Sequence, residues 1–179
     1  AGTILVMSGD EILMDHRSSL GPIDPQFSDG EGRPLPAQAI LAGIETIKDE
    51  VAKNNGQLHP VYIPILRNVD PGKLQSAQNA SELSRRLVTE WLETYKFRDW
   101  PIHRSTRKPV TPEERHARAA EIAAELCKHQ KWLSHGRPIK VADLRAMRLE
   151  ITDYGKLPDL QAAIWSLWTN LSVIFSMTN

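Results

Sequence analysis

Apolar residues at helical spacing dominate this chain from about Pro36 onward, whereas the stretch before it carries only short apolar runs cut by Gly, Asp and Pro. Ile40, Leu41, Ile44, Ile47 and Val51 predict a helix entered at Pro36 and closed by Asn54-Asn55-Gly56. Asp70 before Pro71 reads as an N-cap with proline in the first turn. Leu74, Ala77, Leu83, Leu87, Trp91, Leu92 and Tyr95 then mark one drifting face of a long helix. Thr111-Pro112-Glu113-Glu114 is a capping box, because Thr111 and Glu114 can each satisfy the other's free backbone N–H. It opens a helix through Ala119, Ile122, Leu126 and Trp132. Gly136-Arg137-Pro138 breaks the pattern, a short helix covers 141–149, and a last helix from Pro158 carries Leu160, Ile164, Leu167, Trp168, Leu171 and Phe175 on one stripe.

The beginning reads differently. Residues 3–9 predict one or two buried helical turns, and Ile12 to Met14 a short strand. Ser18 to Asp24 predict a second strand ending at Pro25. Ser28 to Pro36, with Gly30, Gly32, Pro34 and Pro36, predict a mobile loop. The expected class is therefore α/β, with a short α/β start and a helix-rich remainder.

Composition narrows the function classes only a little. At 179 residues the chain is long enough for one sizeable core. Lys plus Arg and Asp plus Glu are equal at 22 each, so no overall field favours nucleic acid or an anionic membrane. Cys127 stands alone, which excludes an internal disulfide and any Cys-based zinc site. No uninterrupted apolar run reaches the roughly 18 residues that span a bilayer.

Three quoted stretches carry a resemblance. "AGT" leading into an apolar helix, then "DEILM", then "SSLGPIDPQ" resemble the core of serine peptidases of the Clp and crotonase-like fold. The closer likeness is to the serine dehydrogenase proteinases, relatives of signal peptide peptidase A. "PAQAIL", "PILRNVDPGKLQSAQNASELSRRLVTEWLE" and "HGRPIKVADLRAMRLEI" resemble their C-terminal helical part, so the likeness covers most of the chain; the basic stretch 98–118 matches least. The resemblance implies that 1–56 is the C-terminal part of a Clp/crotonase-like peptidase core and 57–179 a helical extension packed on it as one structural domain. In the family pattern the nucleophilic Ser stands immediately before the Ala-Gly-Thr, at the position preceding Ala1. The expected activity is hydrolysis of a peptide or protein substrate by the complete protein, and none by this chain alone.

A serine hydroxyl needs a base. Clp-type enzymes use a His–Asp pair, and the place of their His falls near Asp24; signal peptide peptidase relatives use a Lys on a following helix. Lys48 and Lys53 lie in that window. At about 100° per residue with Ile40 as zero, Lys48 falls near 80°, at the edge of the apolar stripe, and Lys53 near 220°, on the polar side. A Lys acting as base near pH 7 must be desolvated, and lowering its pKa by about three pH units from about 10.4 costs roughly 4 kcal/mol. Lys48 is therefore the candidate base, against the plainer reading that it snorkels from a helix edge. The resemblance also assigns the Ala1 N–H to the oxyanion hole and a close approach of backbone to substrate at Gly2. His16 reads as a solvated loop residue, and Ser18 and Ser19 as backbone-bonding ones. No His/Asp/Glu set has metal-ligand spacing, and no cofactor is expected.

Two other classes compete. Basic residues between Lys96 and Arg118, interleaved with Phe97 and Trp100, have the composition of a nucleic-acid-binding stretch, but Asp99, Glu113 and Glu114 dilute it and nucleic acid is not expected. An assembly module is the third reading: a homo-oligomer is expected, with Trp165 and Trp168 as core residues or interface anchors. Membrane association stays open.

Overall fold

The computed structural model describes residues 2–28, 32–103 and 105–178. About 61% of the chain is helical, with two small sheets. The chain enters through α1 (Gly2–Met7), then β1 (Leu13–Met14), β2 (Gln26–Ser28) and β3 (Pro34–Pro36). The helices α2 (Ala37–Lys53), α3 (Ile63–Arg67), α4 (Pro71–Trp91), α5 (Pro112–Leu126), α6 (His129–Trp132) and α7 (Val141–Ala146) follow. A late strand, β4 (Thr152–Asp153), precedes the terminal helix α8 (Pro158–Thr178).

The helix boundaries follow from local chemistry. Asp70 Oδ1 accepts from the Gly72 N–H at 2.8 Å, with Pro71 in the first turn of α4. Thr111 and Glu114 form the reciprocal capping box at the start of α5. Asn55 and Gly56, at φ 53° and 82°, turn the chain out of α2 in the left-handed region. Past Trp91 the long helix widens into one π turn, Leu92–Lys96. Trp132 belongs to α6 rather than to α5, because Cys127 and Lys128 leave the helix before it.

Two expectations near the start are corrected. Residues 18–24 are not a strand: only Leu20 pairs, in an isolated antiparallel bridge with Ile139. Pro22 and Pro25 lack an N–H, so no ladder can run through them. Of the segment 28–36 predicted as a mobile loop, Ser28 and Pro34–Pro36 belong to the antiparallel pair β2–β3, with Phe27 opposite Leu35, and residues 29–31 lie outside the described residues. Pro34 and Pro36 sit at the ends of an edge strand, where a missing donor is tolerated.

One core joins the early and late parts of the chain. Met7, Ile12, Met14 and Ile23 pack in the same buried cluster as Val88, Leu92, Ile122, Leu126, Ile139 and Leu144. β1 lies parallel to β4, Leu13 opposite Thr152 and Met14 opposite Asp153. Helix α4 is the central spar, packed against both α5 and α2.

A buried aspartate and a histidine beside the first helix

The strap 20–25 is stitched to three separate elements. Thr3, buried in the first turn of α1, donates its hydroxyl to the Gly21 carbonyl at 2.6 Å and accepts from the Gly21 N–H at 3.1 Å. Leu20 and Ile139 exchange both backbone bonds, at 3.0 and 2.8 Å. The Ile23 N–H reaches the Leu126 carbonyl at the end of α5, at 3.0 Å. These bonds give Leu20, Gly21 and the Ile23 N–H their partners outside any ladder.

Asp24 ends this strap with its side chain only 2% exposed. Its Oδ1 is hydrogen-bonded to Nδ1 of His135, which stands in the turn between α6 and α7. That turn departs from helix through Leu133, left-handed at φ 64°. The His135 side chain is 55% exposed, and no described residue bonds its Nε2. Asp24 Oδ2 is buried without a partner among the described residues. A buried carboxylate that fixes Nδ1–H leaves Nε2 as the basic, outward nitrogen, which is the arrangement of a proton acceptor. The His135 carbonyl also lies 3.7 Å from where a Cβ on Gly21 would stand, so the turn packs onto the residue that clasps α1.

Cys127 neighbours this pair. Burial pushes its thiol up to about 11; the Asp24 charge adds to that and Arg85 opposes it. The thiol stays protonated at neutral pH and is not a nucleophile.

Lys48 lies on α2. Its side chain is 65% exposed, and Nζ bonds Glu45 Oε1 at 2.6 Å. The desolvation that a neutral Lys needs is not supplied by the described residues. The reason lies in α2 itself: beyond Ala37, only Ile47 on this helix is buried, so an edge position on its stripe faces water. Gly2 is in open space, with nothing within 4 Å of a Cβ built on it, so the described chain sets no steric demand for glycine there. Ala1 lies outside the described residues.

The other polar candidates have structural partners. Asp15, with a fully buried side chain, accepts from the Arg17 N–H, the Ser18 N–H and the Ser18 hydroxyl, each at 2.9 Å. Burial works to raise its pKa, but these bonds from Ser18 and Arg17, with Tyr154 behind them, hold it below the ordinary value. His16 is exposed. In the basic stretch, Arg98 pairs with Asp10 and Arg118 with Glu121, and the His103 and His116 rings are hydrogen-bonded to Glu114 and Glu93. Among the described residues no group of three or more His, Cys, Asp or Glu is arranged to hold a metal ion.

Compared with family models, curated proteins and solved structures, the chain matches none of them. The site therefore rests on its own geometry. Sequence reasoning placed Asp24 where a Clp-type His would fall but passed over His135, because nothing local marks a histidine whose partner lies 111 positions away.

Proposed function

We propose that this chain is the C-terminal part of a serine peptidase of the Clp/crotonase-like kind, whose base is His135 oriented by Asp24. The observation supporting it is the buried Asp24 bonded to a half-exposed His135 at the strap that clasps the first turn of α1. In this reading a serine immediately before Ala1 in the complete protein attacks the peptide carbonyl. His135 Nε2 takes the hydroxyl proton, and the Asp24 carboxylate stabilises the imidazolium. The proton then passes to the leaving amine, and water, deprotonated by the same nitrogen, releases the acyl group. The Ala1 N–H is assigned to the oxyanion hole in the same reading.

A Ser–Lys mechanism through Lys48 is the second reading. It requires the complete assembly to bury a lysine that is paired with Glu45 in this chain.

Labelling the complete protein with a fluorophosphonate, then locating the adduct by peptide mass spectrometry, tests both. An adduct on the residue preceding "AGTILVM", lost in His135→Ala and kept in Lys48→Ala, is the expected result. Loss in Lys48→Ala alone selects the lysine reading. No adduct on the wild-type protein ends the peptidase reading.

A further inference from the structure

Leu133, in the turn that carries His135, stands out on two counts. Outside α8 it is the most exposed large apolar side chain among the described residues, at 71%. It is also left-handed, at φ 64° and ψ −18°, where Cβ crowds the backbone and Gly or Asn is the usual occupant. The other described non-glycine residues at positive φ are Asn55, Arg107 and Arg148, none of them apolar.

The fold gains nothing from a leucine here. The core place at the end of α6 is taken by Trp132, 4% exposed, whose Nε1–H donates to the Glu125 carbonyl at 2.8 Å. The Leu133 N–H closes the left-handed turn on the His129 carbonyl at 2.7 Å, a bond that glycine would make without strain. Downstream, the Leu20–Ile139 bridge pins the other end of the turn. The leucine is thus held out in solvent between two fixed points. A side chain that strains the backbone and stays in water acts on something outside the fold.

Its place says on what. His135 is two residues on, and two steps of about 3.8 Å keep the two Cα atoms within about 7.6 Å of each other. A peptide whose scissile bond reaches Nε2 of His135 therefore passes Leu133, where an apolar side chain would leave water against the leucine. Resting on the peptidase reading, we infer that Leu133 determines specificity, as the wall of a subsite for an apolar substrate side chain near the scissile bond.

The test offers the complete protein a synthetic peptide pool randomised at every position and reads the cut sites by mass spectrometry. Wild type should prefer Leu over Ala at one position near the cut by at least about tenfold. Leu133→Gly should lose that preference while its urea unfolding midpoint holds or rises, because the left-handed strain is relieved. Leu133→Asp should turn the same position toward Lys and Arg. A lower midpoint in Leu133→Gly with all peptides slowed alike marks a structural role and overturns the inference, as does an unchanged preference. Wild-type protein that takes up fluorophosphonate yet cuts without apolar preference overturns it too and leaves the peptidase reading standing. Neither adduct nor cleavage ends both.

Discussion

Asp24 and His135, 111 positions apart, are joined by a side-chain hydrogen bond, with the carboxylate buried and the imidazole half in solvent. The asymmetry has a chemical consequence. The buried partner orients the ring, while the exposed partner keeps a nitrogen free for a substrate proton. If His135 is the base, Asp24→Asn should lower hydrolysis or fluorophosphonate labelling of the complete protein by roughly 10³- to 10⁴-fold, since the amide favours the wrong tautomer. Retained helical circular dichroism in the variant separates this from damage to the fold. An unchanged rate would reduce the pair to a structural tether.

The Thr3–Gly21 clasp should be measurable as stability. Thr3→Val keeps the shape but leaves the Gly21 N–H and C=O without their hydroxyl partner, a loss of about 1–3 kcal/mol. Thr3→Ser should recover most of it. Urea denaturation compares the three, and equal midpoints would show that the strap is held without Thr3.

How much of this was legible beforehand differs between helices and strap. The caps at Asp70 and Thr111 and the close of α2 at Asn54–Gly56 depend on neighbours within a few residues, so spacing alone reveals them. Residues 18–24 carry strand-like composition, yet Pro22 and Pro25 forbid the ladder, and partners at Thr3, Leu126 and Ile139 decide the conformation. Lys48 shows a different limit. Its angular position on α2 was readable, but the exposure of that side of the helix depends on what packs there. His135 had no local signal at all, because its meaning lies in the distant Asp24.

Cys127 should be slow to react. With its thiol pushed up to about 11, only about one molecule in ten thousand is thiolate at pH 7. Reaction of the native protein with a disulfide reagent should run at least tenfold slower than in urea and speed up with pH well beyond 8. Rapid native labelling at pH 7 would mean that the thiol is neither buried nor protonated.

Asp15 gives the fold an acid-sensitive element whose sign can be worked out. Its side chain has no exposure, yet donors at Arg17 and Ser18 favour the ionised form, and its folded pKa lies below the ordinary carboxylate value. A depressed folded pKa means that the unfolded chain binds the proton more readily. Asp15 therefore contributes its full stabilisation above its unfolded pKa of about 3.9, and the contribution is lost as pH falls through the lower folded value. Asp15→Asn keeps the size but cannot gain the charge, and its NH₂ meets donors where the carboxylate accepted. The variant should be less stable than wild type at pH 7, and the gap should narrow toward pH 3. Chemical denaturation of both proteins at the two pH values measures it. A gap that stays constant would place the acid sensitivity of this fold in other carboxylates, and a gap that widens would reverse the sign argued here.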